Sequence, residues 1–238
     1  MDATESGSER RAGTPAAPDP RALTDDALRA AAETMHAVRD HCVWTQQIGH
    51  HDLVPYLVEE SAELIDAVEG GSRAELREEL GDLLWQVLFH AEIASRDPDD
   101  PFDIDDVAAG LTAKMVHRHP HVFGDATAAT PEEVLVLWNA AKAAEKHERR
   151  SVLDGVSGRM PSLALAQKLV GKATQVGASP IPPAPEGDDV GSEEELGDAL
   201  LALVARARGR GWDAERALRE RLRVLEAAIR TAEQEAGA

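Results

Sequence analysis

Between about residue 24 and residue 96 the apolar positions recur at spacings of three and four, the period of one helix face. They do not alternate every second residue as a half-buried strand would. The same spacing returns over about residues 103–117, 131–150, 161–176, 193–208 and 213–233. Thr24 stands where the first helix would take its N-cap. Gly70-Gly71-Ser72 and the short stretch 97–101 break the pattern, and breaks this short make neighbouring helices pack antiparallel. Another loop, over residues 177–192, holds four prolines. Residues 1–20 are Ser, Gly, Thr, Ala, Pro and Glu with almost nothing apolar, which predicts a disordered tail because too little burial is on offer to offset the entropy of ordering. The expectation is an all-α helical bundle over residues 21–150, then a second helical part over 151–238.

The two parts share a segment. Glu78-Glu79-Leu80-Gly81-Asp82-Leu83-Leu84 reappears as Glu194-Glu195-Leu196-Gly197-Asp198-Ala199-Leu200, both copies on predicted helices. Five consecutive identical residues in register point to duplication of a helical unit.

Composition narrows the function. With 44 Asp and Glu against 25 Lys and Arg, the net charge of −19 disfavours polymeric nucleic acid and anionic membranes as partners. A lone Cys42 makes neither a disulfide nor a zinc site, and no apolar run has the length of a membrane span or signal peptide. These features fit the cytoplasm.

The charge is not spread evenly. On a helical wheel of about 100° per residue, Glu60 falls inside the apolar stripe of Leu57, Leu64 and Val68, with Glu63 on its flank. On the next helix Glu79 and Asp82 take the same two places beside Leu76, Leu80, Leu83 and Val87. If the helices pair antiparallel through these seams, four carboxylates converge. At about 5.5 Å and an effective dielectric near 20, each neighbouring pair repels by roughly 3 kcal/mol, so the cluster calls for protons or cations. All-oxygen ligands suit a hard ion, Mg²⁺ above all, with Mn²⁺ an alternative. The competing reading is an ordinary solvated acidic surface.

Glu59-Glu60-Ser61-Ala62-Glu63 followed by Glu79-Leu80-Gly81-Asp82 resembles the E-E-x-x-E then E-x-x-D signature of MazG-type nucleoside triphosphate pyrophosphohydrolases. The resemblance runs on through Val54-Pro55-Tyr56-Leu57, Leu83-Leu84-Trp85-Gln86-Val87 and Arg118-His119-Pro120-His121-Val122-Phe123, and covers about residues 30–150. It implies an all-α bundle working as a homodimer. It also implies Mg²⁺-dependent hydrolysis of an NTP or dNTP to nucleoside monophosphate and pyrophosphate, a housekeeping task in the nucleotide pool. Carried over residue by residue, the catalytic metal ligands are Glu60, Glu63, Glu79 and Asp82, while the role of Glu59 stays open. On the substrate side, residues 114–150 hold six Lys and Arg against five acids. There Lys114 and Arg118, at i and i+4, and Lys142 are the expected triphosphate contacts. Arg149 and Arg150 read as a solvated charge complement, and Trp138 suits either base stacking or the core. The stretch His41-Cys42-Val43-Trp44-Thr45-Gln46 departs from the family's C-P-W-D by having Val43 and Thr45. Trp44 and His50 read as packing residues.

The second part keeps Glu195 and Asp198, but residues 176–179 offer no facing acid, and Glu186, Asp188 and Asp189 stand in the proline-rich loop. Half a ligand set does not hold Mg²⁺ tightly, so this part is expected to be a degenerate, structural repeat. Its last helix carries Leu218, Leu222, Leu225 and Ile229 as a face for burial. A di-iron bundle is disfavoured because only Glu33-Thr34-Met35-His36 has the E-x-x-H spacing and two copies are needed. The remaining alternative is a non-catalytic helical regulator that binds nucleotide or protein.

Overall fold

The computed structural model describes residues 26–145, 151–178 and 190–236. The expected tail over residues 1–20, Thr24, Arg149, Arg150 and most of the proline-rich loop lie outside the described residues. Among the described residues every regular element is a helix. They divide into two compact units that meet in sequence between Lys142 and Ala143.

In the first unit, α1 (Ala27–His41) starts at Asp26, two residues after the Thr24 expected from sequence. The Asp26 carboxylate accepts from the Leu28 and Arg29 N–H groups at 3.0 and 3.3 Å, satisfying two donors that a helix start leaves orphaned. The helical spacing does not run unbroken into the next element. A 3₁₀ turn, Thr45–Gln47, intervenes, and the buried Thr45 hydroxyl pins it by reaching the Val38 and Cys42 carbonyls, each at 3.0 Å. Helix α2 (His50–Gly70) then begins upstream of Pro55, because Asp52 reaches back to accept from the Gly49 N–H at 2.8 Å. Pro55 sits in its second turn, where it forgoes one helix hydrogen bond.

The turn into α3 (Arg73–Ala94) is built by Gly71 and Ser72. A Cβ on Gly71 would lie 2.7 Å from the Ala67 Cα, so the chain can reverse this tightly only with glycine there. Ser72 and Glu75 cap α3 reciprocally, N–H to carboxylate at 2.5 Å and N–H to hydroxyl at 3.2 Å. As the short break implied, α2 and α3 pack antiparallel. Leu53 meets Phe89 in a core with Met35 and Leu88, and Ala31, Ile48, Leu84, Trp85 and Ile104 pack around it. Trp44 sets its edge against Phe89 and Tyr56 but remains half exposed. Near the end of this helix pair opposite the turn, the His50 and His90 Nδ1 atoms are 2.8 Å apart. Helix α4 (Ile104–Arg118), capped by Asp103, leads through the single turn α5 (Pro120–Phe123) to α6 (Pro131–Ala144).

In the second unit, α7 (Ser162–Gln175) packs on α8 (Glu193–Gly209), with Val170 and Val204 buried. The start of α9 (Ala214–Ala236) is tied to α7 by polar bonds. Gln167 accepts from the Ala214 N–H and donates to the Trp212 carbonyl, each at 3.1 Å, and Glu215 accepts from the Ala164 N–H. The stripe Leu218, Leu222, Leu225 and Ile229, expected as a buried face, is 46–56% exposed. The unit presents this stripe instead of using it, since what holds α9 to α7 is its polar N-terminal turn.

Candidate metal centre

The antiparallel pairing of α2 and α3 sets Glu60 opposite the second and third turns of α3. One carboxylate oxygen from each of Glu60, Glu79 and Asp82 lies within 4.8 Å of the other two. Oxygens on opposite sides of an octahedral Mg²⁺, each about 2.1 Å from it, are about 4.2 Å apart. The three groups are thus gathered on nearly the scale of one ion. Glu63, the fourth acid expected from sequence, is exposed and falls outside this triad, yet its charge is felt at both Glu60 and Glu79.

Burial pushes the Glu60 carboxyl above its ordinary range, and the neighbouring Asp82, Glu63 and Glu59 push it further. The Gln86 side chain works in the other direction. Glu79 is raised by burial first and then by Glu63, Asp82, Glu78 and Glu60. Its Oε2 is buried and has no hydrogen-bond partner. A hard divalent cation answers each of these features, because it fills the orphaned acceptor and cancels the mutual repulsion. The donor set, all carboxylate oxygen, fits Mg²⁺ or Mn²⁺ and gives no reason to invoke a softer metal.

The basic residues singled out in the sequence divide. Lys114 is exposed on α4, and Lys142 is half-buried on α6 with interactions of its own. Arg118 is only 8% exposed, and its guanidinium lies 5.2 Å from the centre of the Trp138 ring, within cation–π range. His119 meets the same indole edge-on at 5.1 Å, while its Nδ1 sits 2.7 Å from the Met115 carbonyl. Of the two roles the sequence left open for Trp138, the geometry displays packing against Arg118 and His119. The lone turn α5 brings His121 to 5.6 Å from His119, and the buried His121 Nδ1 has no partner.

Sequence reading passed over Gln86. It is 5% exposed, yet its Oε1 has no partner. The signal was available: a single amide stands in the apolar run Leu83 to Phe89, one turn after Asp82 and two after Glu79 on the same helix face.

The repeated segment in the second unit is placed differently. Glu195 lies in the first turn of α8, where its carboxylate accepts from the Gly191 N–H at 2.7 Å and its N–H donates to the Ser192 hydroxyl at 3.2 Å. Its carboxylate thus serves the start of its own helix, holding the N–H of the residue before the N-cap Ser192. Among the described residues of this unit no three acids, histidines or cysteines gather as they do around Glu60. Glu186, Asp188 and Asp189 lie outside the described residues.

Comparison with known proteins places the carboxylate-bearing helices in a recognised segment. A sequence model of the MazG nucleotide pyrophosphohydrolase domain matches residues 48–123, which span α2 through α5. An uncharacterized 26.1 kDa protein of Streptomyces cacaoi is 51% identical over 201 residues, covering 84% of this chain and 80% of that one. The nucleoside triphosphate pyrophosphohydrolase of Mycobacterium tuberculosis is 42% identical over 184 residues, covering 75% of this chain and 56% of the relative, so this chain spans little over half of that protein. The Escherichia coli K12 protein of the same name is 32% identical over 230 residues, covering 88% and 87%.

Proposed function

This chain belongs to the MazG family of nucleoside triphosphate pyrophosphohydrolases, and from that premise we propose that it hydrolyses a nucleoside or deoxynucleoside triphosphate to the monophosphate and pyrophosphate in the presence of Mg²⁺. The observation that carries the reading is the gathering of Glu60, Glu79 and Asp82 within 4.8 Å inside the matched segment. These three carboxylates, with Glu63 beside them, would hold the metal. Mn²⁺ would serve in its place. A divalent ion at such a site supplies charge neutralisation on the phosphates and a more acidic water. In the reaction a water oxygen bonds to the α-phosphorus, the bond from that phosphorus to the α–β bridging oxygen breaks, and pyrophosphate departs. The water's proton passes to solvent or to a carboxylate of the cluster.

The chain's own residues prepare that step. Keeping four acids on two rigid, packed helices fixes the anionic wall before substrate arrives, so little reorganisation accompanies binding. Lys114 on α4 supplies a mobile cation for the departing phosphates. Arg118, stacked on Trp138, supplies a fixed one whose orientation is set by the indole and not by the substrate. Lys142, in the last turn of α6, is the further phosphate contact in this reading.

Homodimerisation belongs to this reading. Val54, Val58, Val68 and Leu80 are each 44–65% exposed on the two helices that carry the acids, more apolar surface than isolated helices leave open in water. A cytoplasmic, pool-cleansing role agrees with the lone Cys42, and no described helix is long and apolar enough to cross a membrane. The test is product analysis on a panel of NTPs and dNTPs with and without Mg²⁺. Pyrophosphate and monophosphate appearing only with the metal is the expected result, and orthophosphate with a diphosphate would overturn it.

A further inference from the structure

Helix α9 is turned inside out. The face it gives its own unit is polar: beyond Ala214 its half-buried residues are Glu215, Arg219 and Arg223, the first two joined by an ion pair at 3.8 Å. Its apolar stripe, Leu218, Leu222, Leu225 and Ile229, stands about half exposed. From residue 224 to residue 236 every position is exposed, thirteen residues in all. Helices of less than about 12–15 residues are marginal in water when nothing packs on them, so this half of α9 calls for a partner outside its unit.

The helix itself describes that partner. The stripe is spaced by four, three and four, the a and d repeat of a two-helix seam, and Ala232 continues it. In the flanking e and g places the charged residues are Arg219 and Arg221 in the first half and Glu226, Glu233 and Glu235 in the second. Residues 214–223 hold four Arg and two Glu, a net charge of +2, whereas residues 224–236 hold three Glu and one Arg, a net −2. A helix with one basic and one acidic half complements itself when reversed. Reversal also pairs the stripe without remainder: Leu218 meets Ile229 of the partner subunit, Leu222 meets Leu225 of the partner subunit, and a two-fold axis repeats both layers. A parallel pair would lay basic half on basic half. A lipid surface fits less well, because it would meet the acidic half on a chain of net charge −19.

We propose that α9 is a self-association element, pairing antiparallel with α9 of a second copy of this chain through Leu218, Leu222, Leu225 and Ile229. The contact is separate from the exposed apolar surface of α2 and α3, and it stands or falls independently of the hydrolytic reading. It gives the second unit a task that needs no metal.

The experiment is disulfide trapping in the full-length protein with Leu218→Cys and Ile229→Cys, each alone and mixed in equal amounts, with oxidised glutathione at micromolar protein. Wild type, which carries Cys42, is the control. In the antiparallel pair Leu218 lies beside Ile229 of the partner subunit. The two copies of position 218 are then eleven residues apart along the axis, about 16 Å, beyond the roughly 7 Å that a disulfide spans. The mixture is expected to give at least about tenfold more cross-linked dimer than either variant alone, because pairing raises the effective concentration of the two thiols. Leu222→Glu placed in both chains is expected to remove that product. Leu225→Glu, in the segment exposed throughout, reports the same quantity should Leu222→Glu fail to fold, and melting of each variant checks this. A mixture without cross-linked dimer overturns the pairing. Each variant cross-linking with itself as readily as with the other marks a parallel pair or chance collision and also overturns it. A mixed product that survives both glutamate variants does the same, since it no longer depends on the stripe.

Discussion

Helices α3 and α8 carry the same five residues, E-E-L-G-D, and put them to different uses. In α3 the segment begins well inside the helix, after a first turn already capped by Ser72 and Glu75, so Glu79 is free of capping duty and faces Glu60 on α2. In α8 the helix starts almost at the segment itself, and Glu195 is the residue three places after the N-cap Ser192. Its carboxylate is therefore drawn back to the Gly191 N–H. The difference is a matter of where each helix begins. A carboxylate in the first turn answers the orphaned N–H groups nearby, whereas one in the second or third turn has no backbone donor within reach and must find a proton or a cation.

The largest expected effect breaks this comparison on the α3 side. Glu60→Gln should lower pyrophosphate release by at least about 100-fold while the metal-free melting temperature holds or rises, since one source of repulsion is gone. An unfolded Glu60→Gln protein would make the residue structural. Next comes the substrate side of the same unit. Lys114→Ala should raise KM by roughly tenfold with little change in melting temperature, as loss of one charge-assisted contact does. Arg118→Ala should raise KM and also lower stability, because its stacking on Trp138 is worth about 1–2 kcal/mol. Equal stability in the two variants would mean that the Arg118–Trp138 contact contributes nothing.

On the α8 side, Glu195→Ala should cost roughly 0.5–1 kcal/mol of stability in the second unit, the ordinary value of a cap, and leave turnover within about twofold. The smallest effect concerns the far end of the α2–α3 pair. Burial, and then the neighbouring His50, hold His90 below the usual histidine range. A histidine whose pKa is lowered by folding stabilises the protein above its unfolded value of about 6.5 and loses that contribution as pH falls. The melting temperature should therefore drop between about pH 7 and pH 5.5, and less so in His90→Phe. A wild-type slope no steeper than the variant's would remove the pair from the account.

Helical periodicity and the short break at Gly70-Gly71-Ser72 were enough to read the all-α character, the antiparallel α2–α3 pair and the convergence of Glu60, Glu79 and Asp82. These follow from apolar spacing, which dominates burial. Helix starts were not legible to the residue, because capping by Asp26 and Asp52 competes with neighbours of equal propensity, and only tertiary packing selects among them. The wheel placed Glu63 with the other three acids, whereas it stands exposed outside their triad. Periodicity also gave the stripe on α9 without saying that its own unit leaves it half exposed. Gln86 was hidden for a plain reason: a hydrophobic pattern marks where a polar residue interrupts it, not how deeply that residue is buried.

One measurement bears on the central claim most directly: Mg²⁺-dependent pyrophosphate release by Glu79→Gln and by the double variant Glu195→Gln with Asp198→Asn, compared with wild type under identical conditions. Turnover lost in Glu79→Gln and retained within about twofold in the double variant is the expected outcome. Retained turnover in Glu79→Gln, or a large loss in a double variant that still melts normally, would contradict the account and move the working site to the second unit.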